Sequence, residues 1–255
     1  MRARQATLLP DLYQDDRLDV QPVSMGSAAL KFGADGRVAW NDMWATFCDL
    51  AMAGGPPHRG TLLEPGTADE INAHADQYRD VVAEICRGVA MVTGLPVEPS
   101  PIPGWVRIAC LSEGMSGWLL RAVVMENVSA RAHGATLDLP AGPHYRLEKE
   151  IKNVVTVIAK TSHYLIDHMT PARHRKIAAL FTSMATTMPL IEPARTGDWR
   201  GIECSDVASA IRMMRALVAS NVLARREGTV LCVPINSVTD PSGEIVAERF
   251  TSLPR

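Results

Sequence analysis

The sequence lacks most of the features that assign a chain of this length to a class at sight. No apolar run approaches the roughly 18 residues of a membrane-spanning helix. A net charge of −2 provides no basic surface of the kind that attracts nucleic acid or an anionic membrane. Phosphate-loop, dinucleotide-binding, zinc-protease and nucleophile-elbow motifs are absent. We therefore expect no membrane association, the charge argues against a nucleic-acid partner, and the sequence identifies no cofactor.

Cysteine is scarce and scattered. The chain has five cysteines and no Cys-x-x-Cys pair, and each lies in an apolar stretch: Cys48, Cys86, Cys110, Cys204 and Cys232. This usage is typical of buried free thiols in a reducing compartment. The N-terminus is basic but has no apolar segment of the signal-peptide type. Both observations predict a cytoplasmic protein.

What the sequence does contain is an internal repeat. Residues 91–142 align without a gap on residues 185–236, shifted by 94 positions, and roughly a third of the positions are identical. The aligned pairs include Trp105 with Trp199, Glu98 with Glu192, Arg121 with Arg215, and Asn127 with Asn221. Residues that both copies keep are expected to be structural, and residues of one copy alone are candidates for a site.

Periodicity predicts an α/β (α+β) fold built by this duplication. Two tandem helix–strand–helix–strand modules would be related by a pseudo-twofold and joined by a long connecting helix. The predicted segments are an N-terminal extension (1–67), a first repeat (68–144), the connecting helix (145–170) and a second repeat (171–255).

Local signals predict the smaller elements. A hairpin is expected around the turn at residues 33–36, followed by a helix capped by Asn41. A long helix is expected over 68–93 and a last strand over 244–250. Along the connecting helix, a polar stripe that includes Asn153, Thr156 and Lys160 is expected to face water.

The duplicated charged residues predict a structural clamp. Arg121 and Arg215 fall inside apolar helices, where a guanidinium needs a carboxylate or several carbonyls. Glu98 and Glu192 are each followed by proline. Each glutamate is therefore expected to pair with the arginine of its own module. The alternative is that the two arginines bind an anionic ligand at the pseudo-twofold.

Histidine is distributed unequally, since all seven histidines precede the second strand–helix–strand unit. The first candidate site is the loop at residues 54–61, which presents His58 and Arg59 after Gly54 and Gly55. The glycines allow close backbone approach, while the prolines that follow them restrict the loop. Arginine can hold a carboxylate or phosphate, and histidine can move a proton. A structural turn is the alternative.

The second candidate is the start of the connecting helix. Gly142 and His144 precede this helix, whose N-terminal N–H groups favour an anion. Lys152, Lys160 and His163 follow along it. A loop carrying His58 that folded back over this end would complete one polar pocket.

Other functions remain open at this stage. A metal site would use His58, His144, His163 and His168, but their spacing does not suit one and none is predicted. The run from Met214 to Leu231 resembles the end of a winged helix with Arg225 and Arg226 at its tip, although a single helix precedes it. A non-catalytic accessory subunit, binding another protein or a second copy of the chain, is the third alternative.

The sequence therefore predicts a protein that binds a small anionic metabolite. If it is an enzyme, His58 or His163 would transfer the proton. The ligand would contact the glycines of both turns, the first-loop arginine and the helix residues, namely Gly54, Gly55, Arg59, Gly142, His144, Lys152 and Lys160.

Overall fold

The structure is a computed structural model that describes residues 29–43, 61–167 and 170–252. It contains helices and two antiparallel sheets, which confirms the predicted α/β class. The chain divides into two compact units. We call them the larger unit, described over residues 29–43 and 62–167, and the C-terminal unit, described over residues 170–252. The four-segment division predicted from the sequence stays a prediction.

The larger unit has four strands, and a π-helical turn at Leu147–Ile151 precedes its last helix. Its helices are α1 (Ala68–Ala73), α2 (Ala75–Thr93), α3 (Glu113–Met125) and α4 (Lys152–Asp167). Its strands are β1 (Val97–Pro99), β2 (Trp105–Ala109), β3 (Arg131–His133) and β4 (Thr136–Pro140). The long helix predicted over 68–93 is thus interrupted at His74, whose backbone leaves the helical region.

The predicted N-terminal hairpin is a tight turn with one antiparallel bridge, between Phe32 and Val38. It is attached to α2 through Glu84. Trp40 Nε1 donates to Glu84 Oε1 at 2.9 Å, and Arg87 Nη2 donates to the Val38 carbonyl at 2.9 Å. Residues 40–43 are helical, and the rest of the helix predicted to follow lies outside the described residues.

The four strands form an antiparallel sheet in the order β1-β2-β4-β3. Side chains alternate between faces, so Val106 and Ile108 share one face with their cross-strand partners Leu139 and Leu137. These four are fully buried, and α2 and α3 pack against the sheet. The apolar core of the larger unit therefore lies between this face and the helices.

Helix α4 is buried on all sides over residues 152–160, and it contacts α2 and α3. The expectation that its polar stripe faces water is wrong for Asn153, Thr156 and Lys160. The buried hydroxyl of Thr156 is satisfied within the helix, since it donates to the Lys152 carbonyl at 2.7 Å. The sequence pattern could not reveal this burial. An apolar stripe beside a polar one normally indicates that the polar side faces water, but the polar side of this helix is covered as well.

The C-terminal unit has helices α5 (Pro171–Thr187), α6 (Val207–Ala219) and α7 (Glu244–Thr251). Its strands β5 (Trp199–Glu203), β6 (Arg225–Glu227) and β7 (Val230–Pro234) pair in the order β5-β7-β6. The strand predicted over 244–250 is wrong. Asp240 accepts hydrogen bonds from the N–H groups of Ile245 and Val246, each at 3.0 Å, and so starts helix α7.

Both units contain the order strand–helix–strand–strand, as β2-α3-β3-β4 and as β5-α6-β6-β7. They also share backbone hydrogen bonds. The Ala141 N–H donates to the Gly104 carbonyl at 2.8 Å, and the Ile235 N–H donates to the Asp198 carbonyl at the same distance. Both pairs obey the 94-position shift. Duplication and a pseudo-twofold stay predictions.

The 94-position shift fails upstream of these strands. In the larger unit the Leu63 N–H donates to the Asn127 carbonyl at 2.9 Å. In the C-terminal unit the Ile191 N–H donates to the Asn221 carbonyl at 2.9 Å. Both asparagines have positive φ, 60° and 62°, so the two chains turn back in the same way. Leu63, rather than a residue of β1, therefore occupies the position of Ile191.

It follows that Glu192 corresponds to Glu64 and not to Glu98. The ungapped alignment is wrong here because α1, α2 and β1 lie between Glu64 and Trp105 in the larger unit. In the C-terminal unit only residues 193–198 separate Glu192 from the equivalent tryptophan.

No helix in the part of the chain that the structure describes is both long and apolar enough to cross a membrane.

Arg249 of α7 provides a test of how the C-terminal unit is held together. Its Nη1 lies 3.0 Å from the Ser220 carbonyl and 3.1 Å from the Asn221 carbonyl, both beyond the end of α6. Hydrogen bonds from charged donors contribute about 1.5–3 kcal/mol each. We expect Arg249→Met to lower the free energy of unfolding by about 2 kcal/mol in urea denaturation. Arg212→Met, at an exposed position on α6, is the control, and an equal loss in both variants would contradict this role.

Candidate functional site

The predicted pocket has two parts, the loop at residues 54–61 and the start of the connecting helix. Gly54, Gly55, His58 and Arg59 lie outside the described residues. Their convergence with the connecting helix therefore stays a prediction. The remaining predicted residues all belong to the larger unit, at the turn after β4 or on α4.

The turn after β4 is close-packed. A Cβ on Gly142 would lie 2.8 Å from His144 Cε1, and a Cβ on Gly66 would lie 3.0 Å from Gly142 Cα. Tyr145 is buried, and its hydroxyl donates to the Glu64 carbonyl at 2.6 Å. His144 itself is exposed. Gly142 therefore allows two chain segments to approach each other closely, because it has no side chain. The imidazole of His144 beside it is accessible.

The helix that follows does not begin with an open N-terminus of the predicted kind. It begins with the π-helical turn, and the Arg146 N–H donates to Glu150 Oε2 at 2.9 Å. Burial alone would raise the pKa of Glu150, but hydrogen bonds from Arg146 hold this pKa below its ordinary value. A carboxylate of the chain thus already occupies the place predicted for an anion.

Lys152, Lys160 and His163 do lie together on α4. At 3.6 residues per turn their side chains leave the helix within an arc of about 80°. Lys152 is 5% exposed and Lys160 is 1% exposed, whereas His163 is half-buried. We call these three residues the basic face of α4.

The two lysines are in different electrostatic situations. Lys160 Nζ lies 2.6 Å from Glu126 Oε1, and Glu126 follows the last residue of α3. This contact is a buried ion pair. Burial lowers the pKa of Lys152, and Glu148 partly opposes that effect. The sequence grouped both lysines as ligand contacts, but Lys160 already binds a carboxylate of its own chain.

The predicted clamp is wrong in the larger unit. Glu98 is exposed on β1 and faces Arg107 across the sheet, while Arg121 is buried in α3 and donates to the Gly117 carbonyl. Glu98 and Arg121 do not form a hydrogen bond or an ion pair. The cause is the misplaced alignment, since Glu64 occupies the position that was given to Glu98.

In the C-terminal unit the pairing of Glu192 with Arg215 stays a prediction. The Glu192 carbonyl accepts a hydrogen bond from Asn236 Nδ2 at 2.8 Å, which fixes the backbone there. Arg215 lies in α6 and is half-buried.

Sequence reasoning missed one cluster of charged residues, on the second face of the larger unit's sheet. Arg107 Nε and Nη2 lie 2.8 Å and 3.0 Å from the two carboxylate oxygens of Asp138. Arg131 Nη2 lies 3.2 Å from Asp138 Oδ2, and its guanidinium lies 3.9 Å from the centre of the Trp105 ring. A signal for this cluster was present in the 94-position alignment, which places Gly201 opposite Arg107 and so marks Arg107 as a residue of one segment alone.

The described residues contain no group of three or more His, Cys, Asp or Glu side chains arranged to hold a metal ion. Burial raises the pKa of Cys86 to about 11 and that of Cys110 to about 12. Both are therefore thiols and not thiolates at neutral pH, which makes them poor nucleophiles and poor metal ligands.

Comparison of the chain with protein-family models, with curated proteins and with solved structures finds no match.

The buried pair of Lys160 and Glu126 gives the second prediction. Removing one partner leaves the other charge buried, which typically costs about 3–5 kcal/mol, whereas an apolar pair of similar size is often tolerated. We expect Lys160→Met and Glu126→Leu each to lower the free energy of unfolding by that amount in urea denaturation. The double variant should recover most of the loss. Additive losses in the double variant would show that the two residues are not energetically coupled.

Proposed function

We propose that the larger unit binds a small anionic molecule at the basic face of α4, with Lys152 as the residue that pairs with the ligand's charge. The observation that carries this proposal is a lysine buried at the junction of a π-helical turn and an α-helix. Single π-helical turns are frequent at functional sites. Burying an ammonium group is costly, and a buried titratable group whose pKa is shifted is a candidate for function.

The pKa of Lys152 supports an anionic ligand. Burial favours the neutral amine, so this lysine loses its proton at a lower pH than an exposed lysine does. A bound anion would favour the ammonium form and raise the pKa again. Between the lowered pKa and the ordinary lysine value, ligand binding should therefore be accompanied by proton uptake.

The other residues then have separate roles. Lys160 holds α4 against the end of α3 through Glu126, and we assign it to the scaffold of the site. His163, half-buried on the same face, is the proposed proton carrier if binding is followed by chemistry. His58 and Arg59 remain proposed ligand contacts, with Gly54 and Gly55 in their loop. A cytoplasmic location belongs to the proposal and is supported by the four free thiols of the described residues.

The winged-helix alternative loses support from the geometry of the C-terminal unit. A single helix, α6, lies between β5 and β6, whereas a helix-turn-helix needs two. Arg225 is buried, stacks 5.1 Å from the centre of the Trp199 ring and pairs with Glu227. It is therefore poorly placed to contact a DNA phosphate.

Binding at Lys152 can be tested by thermal denaturation with phosphate, sulfate, citrate and pyruvate as probes. An anion at 100 times its Kd stabilises the folded state by about 2.7 kcal/mol, which raises Tm by several degrees. We expect Lys152→Met to abolish the increase. Lys149→Met is the matched control, because Lys149 is an exposed lysine in the preceding π-helical turn.

Calorimetry in two buffers of different ionisation enthalpy measures the accompanying protons. We expect net proton uptake for the wild type at alkaline pH below the ordinary lysine value, and none for Lys152→Met. If no anion raises Tm, or if Lys149→Met reduces the effect as much as Lys152→Met, the proposal is wrong. The accessory-subunit alternative would then be favoured, with Val238, an apolar side chain that is 82% exposed in the C-terminal unit, as its starting point.

A further inference from the structure

Four charged residues form a row across the sheet of the larger unit. In the strand register Glu98 faces Arg107, Arg107 faces Asp138, and Asp138 faces Arg131. Residues directly opposite each other project from the same face of a sheet. All four side chains therefore lie on the face opposite the apolar core, and we call them the charged row.

The centre of the charged row contains two cations for one buried carboxylate. Asp138 is 1% exposed, and its Oδ2 accepts from Arg107 Nη2 at 3.0 Å and from Arg131 Nη2 at 3.2 Å. Ser100 Oγ lies 3.3 Å from the same oxygen. Because both guanidinium groups contact one oxygen, they are close enough to repel each other. Burial lowers the pKa of Arg131, and the neighbouring Arg107 lowers it further, while Asp138 opposes both effects.

Both arginines keep unused donors. In the part of the chain that the structure describes, Nη1 of Arg107 and Nη1 of Arg131 have no hydrogen-bond acceptor. Arg131 Nε is buried and also has no acceptor there. The side chains of Arg107 and Arg131 are 22% and 30% exposed, so a small molecule in solution can reach them. The cluster therefore has more N–H donors than acceptors, and an added acceptor group would satisfy them.

The C-terminal unit shows that this arrangement is not needed for the fold. At the positions of Arg107 and Asp138 it has Gly201 and Cys232, which are also cross-strand partners. It keeps the arginine–tryptophan stack alone, with Arg225 over Trp199. A buried carboxylate shared by two arginines is costly to build, and the same strand order exists without it.

We propose that Arg107 and Arg131 form a binding site for the oxyanion of a small molecule, a phosphate or carboxylate group, distinct from the basic face of α4. Arginine presents paired N–H groups that match two oxygens of such an anion. The ligand would accept from the two Nη1 groups and reduce the repulsion between the guanidiniums. Glu98, exposed beside Arg107, opposes binding and limits the affinity for simple anions.

The test is a titration of the wild-type protein with inorganic phosphate, and in parallel with acetate, followed by NMR of the arginine Nε–Hε groups. We expect the Arg107 and Arg131 signals to shift in a saturable way. Arg107→Gln, which leaves Asp138 paired with Arg131, should weaken phosphate binding at least about tenfold, since it removes a charged bidentate donor. Stronger binding of phosphate than acetate, or the reverse, tells which class of oxyanion the site prefers.

Two variants keep the proposal falsifiable if Arg107→Gln proves unstable. Glu98→Gln removes the opposing exposed carboxylate and should tighten binding about two- to fivefold. Arg79→Gln removes an exposed arginine on α2 and should leave binding within about twofold. The proposal is overturned if phosphate and acetate cause no saturable shift, if Glu98→Gln fails to tighten binding, or if Arg79→Gln weakens it as much as Arg107→Gln. Lys152→Met should not alter these shifts, so failure here and failure at α4 are separable.

Discussion

Burial of residues 152–160 of α4, which packs against α2 and α3, is the constraint on which the larger unit depends. A helical segment buried on every side must satisfy its polar groups without water, and residues 152–160 do so in two ways. Thr156 bonds back to the helix carbonyls, and Lys160 pairs with Glu126 at the end of α3. Thr156 and Lys160 are thus fixed in position by groups of their own chain, and such fixed neighbours are a condition for a well-ordered ligand site.

The sequence predicted the elements that depend on local signals. The turn at residues 33–36 forms as expected, with the Gly33 N–H donating to the Arg37 carbonyl at 2.8 Å. The helix predicted to end at residue 93 does end there, because Gly94 takes the left-handed conformation. Each of these features is set by residues within four or five positions of one another.

What the sequence could not predict depends on contacts between distant segments. Lys160 was assigned to a solvent-facing stripe because a lysine at helical spacing usually faces water, and its partner Glu126 lies 34 positions earlier. Glu98 was given the role of Glu64 because each of them is the first residue of a Glu-Pro dipeptide, and only the backbone pairing of the folded chain distinguishes them. Asp138 was overlooked because single charged residues in strands usually face water, and its burial requires two arginines from neighbouring strands.

The segment of α1, α2 and β1, which the larger unit has before β2, also makes the edge strands of the two sheets different. In the larger unit β1 covers the outer side of β2. Among the described residues of the C-terminal unit, β5 pairs with a strand on one side only, so it is an edge strand of the sheet that these residues form. Open edges promote association of one sheet with another, and exposed charged residues oppose it. Arg200 and Glu203, both exposed on β5, are charged residues of the kind that opposes such association, whereas the larger unit has an additional strand at this position.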